Sequence, residues 1–205
     1  MKFADIPGHE DVKERLRAMV DDDRIPHALL LEGIPGVGKF ALARATAAYI
    51  HCTNRVNGDS CGVCEACRQH AALNHFDTIL SFPVVKKDGK KAAVSDEYAA
   101  DFREHIEKYP FMDFSRWLLA LGNINAQPQI YVDEAAALIS RLNVTARRSH
   151  FKVVLMWLPE RLHEAAANKL LKLVEEPYAD TLFIFTSDTP KSILPTIYSR
   201  TQRVT

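Results

Sequence analysis

An α/β fold, a parallel sheet flanked by helices, is what this sequence predicts, and two observations predict it. A glycine-rich turn stands between a short apolar run and an alanine-rich helical stretch, and two further apolar runs, 153–157 and 182–186, alternate with helical patterns. Strands that are apolar throughout and alternate with helices belong to parallel sheets covered on both faces. At 205 residues and 47% apolar content, the chain can bury the core of one large domain or of a domain carrying an insertion.

Taken in order, Val12, Leu16, Met19 and Val20 recur at helical spacing and run into Asp21-Asp22-Asp23, which predicts a first amphipathic helix. His27-Ala28-Leu29-Leu30-Leu31 then reads as a strand, Gly33 to Gly38 as the turn, and Lys39 onward as a helix. The four cysteines follow, on a knuckle taken as 51–76, and residues 77–128 carry no recognisable motif and read as an insertion. Within that stretch Phe82-Pro83-Val84-Val85 and Ala92-Ala93-Val94 flank the polar turn Lys86-Lys87-Asp88-Gly89-Lys90-Lys91, which predicts a hairpin around Asp88-Gly89. Its lysines read as a solvated tip rather than a DNA contact. Helices are expected over 97–108 and 113–121, separated by Pro110. Regularity returns with a helix over 130–142, the strand 153–157, a helix over 164–175 and the strand 182–186.

Lys+Arg and Asp+Glu are balanced at 26 each, so no whole-surface pull on nucleic acid is expected and any DNA contact is local or shared with partners. No apolar stretch approaches the roughly 20 residues that span a bilayer, and the N-terminus lacks the apolar core of a secretory signal. The cytoplasm is the expected compartment, with no membrane partner. There, thiols stay reduced, and four clustered cysteines point to metal rather than to disulfides.

Gly33-Ile34-Pro35-Gly36-Val37-Gly38-Lys39 matches G-x-x-x-x-G-K. In that pattern the glycines turn backbone N–H groups toward phosphate oxygens and the lysine reaches the terminal phosphates. The next residue should be Ser or Thr, whose hydroxyl holds Mg²⁺, and here it is Phe40. An acidic pair is also needed at the end of a later strand, and the strand that fits runs into Trp157-Leu158. Asp133-Glu134 also end an apolar run, but they read as acids in the first turn of a helix. We therefore expect no intrinsic ATPase activity. Gly33, Gly36, Val37, Gly38, Lys39 and Phe40 remain the candidate cradle for ATP or ADP, while Lys39 could equally pair with a backbone or carboxylate oxygen. A carboxylate held over Lys39 is the observation that would reopen hydrolysis.

Cys52, Cys61, Cys64 and Cys67 stand in the spacing C-x8-C-x2-C-x2-C, which lets three thiolates of a tight knuckle and one from the preceding helix end meet a tetrahedral Zn²⁺. A closed four-cysteine shell has no open position for water, so the role is structural. An iron–sulfur cluster is the other use of such a set and ranks below zinc. His70 and His75 lie close by in sequence and read as exposed or capping side chains with no metal role.

Several further segments complete a resemblance. Phe3-Ala4-Asp5-Ile6-Pro7-Gly8-His9-Glu10, with Arg24-Ile25-Pro26-His27-Ala28-Leu29-Leu30-Leu31, leads into the loop. Asn168-Lys169-Leu170-Leu171-Lys172-Leu173-Val174-Glu175-Glu176-Pro177 forms an asparagine-to-proline helix whose Leu170, Leu171 and Val174 read as core. Thr186-Ser187-Asp188 ends a strand, and Ser199-Arg200-Thr201 varies a Ser-Arg-Cys motif. Together they resemble the clamp-loader branch of the AAA+ family, delta-prime type, over residues 1–77 and 130–205, with the zinc spacing of the bacterial subunits. The resemblance implies an AAA+ P-loop fold over 1–205 with a zinc-binding knuckle inserted after the P-loop helix. It implies a pentameric loader that opens a sliding clamp and places it on primed DNA, within the DNA polymerase III holoenzyme. The gamma/tau motors and delta are its implied partners. It also implies that Thr186-Ser187-Asp188 is the sensor-1 position and that Arg200 is an arginine finger acting on a neighbouring subunit's ATP. The family continues beyond the equivalent of Thr205 into a helical lid and a collar, so an N-terminal fragment, monomeric by itself, is expected.

Two other functions compete. One is an active gamma/tau-like motor that recruits Asp133-Glu134, a reading set to fail if the strand ending at Met156 lies beside the phosphate-loop strand. The other is a zinc-ribbon nucleic-acid binding module, for which only Arg55 and Arg68 flank the knuckle.

Overall fold

The computed structural model describes residues 1–86, 93–122, 127–143 and 149–205. Five strands, β1 (Ala28–Glu32), β2 (Thr78–Ser81), β3 (Lys152–Trp157), β4 (Thr181–Ser187) and β5 (Gln202–Val204), form one parallel sheet in the order β2-β3-β4-β1-β5. The helices are α1 (Glu10–Asp21), α2 (Lys39–His51), α3 (Glu65–Ala71), α4 (Ala99–Lys108), α5 (Phe114–Ala120), α6 (Val132–Asn143), α7 (Glu164–Glu175) and the short α8 (Pro195–Tyr198).

The strands are apolar throughout because both faces are covered. Leu29 and Leu31 of β1 join Phe3, Leu16, Phe40, Leu155 and Trp157 in one core cluster, while Ala28 and Leu30 join Val154, Met156, Leu170, Val174 and Phe185 in a second. Alternate residues of each strand thus feed opposite layers, each fully buried large side chain contributing about 1.5–3 kcal/mol by removal from water. Leu170 and Val174 of α7 are core, as their spacing predicts, with Leu171 packed at its margin.

Residues 77–128 contribute to the sheet as well as to the material outside it. Thr78–Ser81 is the edge strand β2, paired in parallel register with Val153 to Met156. The hairpin expected around Asp88-Gly89 falls on residues 87–92, outside the described residues; Val84 pairs with Gln129 across an isolated bridge. The two expected helices are present as α4, preceded by a 3-10 turn at Ser95–Tyr98, and α5, which Asp113 caps through Ser115 N at 2.8 Å. Asp133 and Glu134 fall in the first turn of α6, and Glu134 is buried, accepting from Ser95 N at 2.7 Å. Among the described residues, no helix is long and apolar enough to cross a membrane.

Candidate functional site

The phosphate loop joins β1 to α2 at the C-terminal end of the sheet, where crossover folds place their ligands. Gly36 and Gly38 have φ of +79° and +91°, values an L side chain rarely adopts, so glycine is required at both. His9 Nε2 lies 2.8 Å from the carbonyl oxygen of Val37 and ties the loop to the start of α1.

Lys39 does not point into an open cradle. Its Nζ lies 2.7 Å from Asp188 Oδ1 and donates to the carbonyl oxygen of Ile34 at 2.5 Å, with both charged side chains largely buried. Asp188 follows β4, the strand directly beside β1, and Glu160 holds the backbone that carries it. Glu160 Oε1 accepts from Asp188 N at 2.9 Å and Thr189 N at 3.0 Å. A carboxylate held over Lys39, the arrangement that reopens the question of hydrolysis, is therefore present. It came from the strand named as sensor 1, without a role assigned to it, because nothing in the sequence states that β4 lies next to β1. Losing the charge of Asp188 in Asp188→Asn is expected to destabilise the fold by about 1.5–3 kcal/mol, the worth of a hydrogen bond to a charged group, measured as a shift in denaturant midpoint at unchanged slope.

The remaining parts of a hydrolytic site are apolar. Phe40 is 2% exposed, and Trp157 and Leu158 at the end of β3 are 3% and 2% exposed, so no oxygen is offered at either place. The strand ending at Met156 is not beside β1; β4 intervenes, so the adjacency set to exclude a motor does not occur. The recruitment of Asp133-Glu134 lacks support on other grounds, since the Glu134 carboxylate is spent on Ser95 and burial pushes its pKa up.

Arg200 lies between α8 and β5, about one-third exposed. Its Nη2 pairs with Glu175 Oε1 at the end of α7, and its Nη1 donates to Thr196 O at 2.7 Å. It is thus seated on the asparagine-to-proline helix rather than on its own chain's phosphate loop.

The four cysteine sulfurs all lie within 4.8 Å of one another, and Cys61 and Cys67 are 3.9 Å apart. Zinc–sulfur bonds of about 2.3 Å at tetrahedral angles place sulfurs about 3.8 Å apart, so the set fits a closed four-thiolate metal site and is compatible with structural zinc. Cys52 caps the end of α2, and Cys61, Cys64 and Cys67 come from the knuckle and α3. Backbone amides point at the sulfurs, Cys61 N to Cys52 Sγ at 3.2 Å and Cys64 N to Cys61 Sγ at 3.3 Å. Burial pushes the Cys64 thiol up, but the N–H groups of Cys67 and Thr53 outweigh it and bring it down to about 6. Arg55 and Arg68, the basic residues flanking the knuckle, are engaged with Asp21 and with the carbonyl oxygen of Val63.

His70 and His75 are buried rather than exposed, and His75 Nδ1 accepts from Asp77 N at 3.2 Å at the entry to β2. With His51 they form a buried stack, His51 and His75 with ring centres 4.2 Å apart and planes 8° from parallel. His51 donates from Nε2 to Phe151 O at 2.9 Å, which leaves its Nδ1 to accept from His70 Nε2 at 2.8 Å. Burial, then the neighbouring His75, lowers the His51 pKa to about 4; burial, then His51, takes His70 to about 2. Rings this close to parallel do not aim their lone pairs at one ion, so the stack serves to fasten α3 to α2 and to the start of β2. Three histidines spread over 25 residues carry no sequence signal for this; folding alone brings them together.

A family model described as DNA polymerase III, delta subunit, matches residues 8–205. Among curated relatives, the chain is 33% identical over 174 residues to the DNA polymerase III subunit delta' of Pseudomonas aeruginosa, covering 85% of this chain and 41% of that protein. It is 30% identical to the delta' subunit of Escherichia coli, covering 91% and 44%, and 28% identical to the tau subunit of Salmonella typhimurium, covering 97% and 24%. The chain therefore spans less than half the length of these relatives. Among solved structures, a DNA polymerase III gamma subunit-related protein of Thermotoga maritima superposes with a TM-score of 0.55 at 15% identity, covering 94% of this chain and 44% of that one. That likeness bears on the fold, which is the AAA+ α/β fold.

Proposed function

The chain belongs to the DNA polymerase III delta-subunit family of clamp-loader proteins, and from that premise we propose that it acts as a non-hydrolysing, delta-prime-type subunit of the loader. In this reading it assembles in the cytoplasm with gamma/tau and delta subunits, its cysteine knuckle holds a structural zinc, and the assembly opens a sliding clamp and delivers it to primed DNA. Arg200 reaches the ATP of a neighbouring motor, where a guanidinium stabilises charge on the transferred phosphoryl group.

The observation that carries the reading is the presence of apolar residues at the two places where hydrolysis needs oxygens. With Phe40 at the magnesium position and Trp157-Leu158 at the water-polarising position, nothing there binds the metal or activates water. Asp188 and the likeness to tau subunits over 97% of the chain are what favour a gamma/tau-like motor instead. Asp188 is ion-paired to Lys39, however, and a hydrolysing site needs that ammonium on the phosphates. The test is direct: purified full-length protein incubated with magnesium and ATP is expected to release no phosphate above the blank, yet to enter a complex with the other loader subunits. Steady magnesium-dependent turnover by the protein alone would overturn the proposal in favour of the motor.

A further inference from the structure

The two positions at which this loop departs from a hydrolysing one, Phe40 and Trp157, are also the seat on which the segment between β2 and α6 is docked. Phe40 meets Phe102 of α4 edge-on at 5.9 Å and Trp157 at 6.4 Å; Trp157 meets Phe102 at 5.9 Å and Phe114 of α5 at 6.2 Å. Phe102 in turn stacks on Phe82 at 3.6 Å and abuts Trp117, whose indole donates to Pro83 O at 2.8 Å. Arg161, just past β3, lies over the ring of Phe114 at 3.7 Å.

Between α4 and α5 the chain crosses the phosphate loop. A Cβ built on Gly38 would stand 3.2 Å from Phe111 Cδ1, so the ring rests directly on the glycine whose N–H should face phosphate. Met112 beside it is buried and held at φ +51°, in the left-handed region. The space left among Gly36, Gly38, Lys39, Phe111, Met112 and Asp188 is about 10 Å³. That is about the volume of a single water, so the ring of Phe111 against Gly38 leaves little free space at this face of the loop.

We propose that the described residues 82–86 and 93–121 are a built-in plug that takes the place of nucleotide, with Phe40 and Trp157 as its aromatic receptor and Phe111-Met112 as the tip that closes the loop. The inference rests on the reading that this site does not hydrolyse, and goes further: the site does not bind nucleotide, and its substitutions and the intervening segment form one packed unit. Putting a hydroxyl back with Phe40→Thr then removes a piece of the seat without opening the cradle.

The test uses the full-length protein and a fluorescent, non-hydrolysable ATP analogue with magnesium, together with hydrogen exchange of residues 36–40. Wild type is expected to show no saturable binding below about 1 mM. Phe111→Ala, at a residue 38% exposed and so tolerated by the fold, is expected to speed exchange at 36–40 about tenfold while β4 is unchanged. The double variant Phe111→Ala/Met112→Gly is expected to speed it further. Micromolar binding by wild type without turnover would overturn the plug and leave the non-hydrolysing reading standing; binding with turnover would overturn both. Unchanged exchange at 36–40 in a folded Phe111→Ala protein would also overturn the plug.

Discussion

Replacing Arg200 with alanine is expected to slow hydrolysis about 10³-fold at the one motor site it serves in a reconstituted clamp loader, the lower end of what an arginine finger supplies, and to lower the loader's total DNA-stimulated ATPase by that site's share. The geometry suits a residue that is kept ready rather than built in. Arg200 is partly exposed and held by Glu175, Thr196 and Ser199, all in its own chain. A partly exposed ion pair of this kind is worth about 0–1 kcal/mol, so releasing the guanidinium to a neighbouring phosphate costs little beside the gain. Arg200→Lys keeps the charge but loses the planar fork and is expected to recover only a small part of the rate. Steady-state phosphate release with clamp and primed DNA present measures all three proteins. Unchanged rates in the alanine loader would leave Arg200 as a helix-end cation on α7 and nothing more.

Stripping the metal is expected to have an effect as large by another route. Purified protein should carry about one zinc per chain, and Cys67→Ser should carry close to none, because a tetrahedral site closed by four thiolates does not survive the loss of a buried one. Free energies of about 10–16 kcal/mol for structural zinc in small peptides set the scale on which the knuckle depends on the ion. Cys52 ends α2 and Cys67 lies in α3, while His51 and His70 join the same two helices. Chelation is therefore expected to free α3 and the 53–64 loop to rapid amide exchange while β3 and β4 stay protected. Metal analysis by emission spectroscopy and exchange by mass spectrometry are the measurements; a zinc content under about half per chain with reduced cysteines would count against the site.

The pieces that could be read in advance share a property: their signal is local. G-x-x-x-x-G-K, the cysteine spacing, the asparagine-to-proline helix and the apolar runs 153–157 and 182–186 each sit within a short window, and each appears where it was expected. From sequence, Lys39 suits phosphate and a protein oxygen equally, and the structure pairs it with two protein oxygens, Asp188 and Ile34. Residues 77–128 offer a hairpin pattern around Asp88-Gly89 and helix periodicity, so α4 and α5 are legible while the edge strand β2 and the docking on Phe40 and Trp157 are not. His70 and His75 read as surface or capping residues for the same reason, and His51 carries no signal in the sequence, since burial is a property of the packed molecule.

From its order of residues alone the chain settles three of its five strands, β1, β3 and β4, the helices α1, α2, α4, α5, α6 and α7, and the absence of oxygen at positions 40 and 157. Those follow from side-chain periodicity and residue chemistry, which act over a few positions. Which strand neighbours the phosphate loop, which carboxylate meets Lys39 and which ring covers Gly38 are contacts between residues up to about 150 positions apart. They are selected by the burial of both sheet faces and of the aromatic cluster, and apolar burial is non-directional, so it leaves no mark in any one segment that takes part.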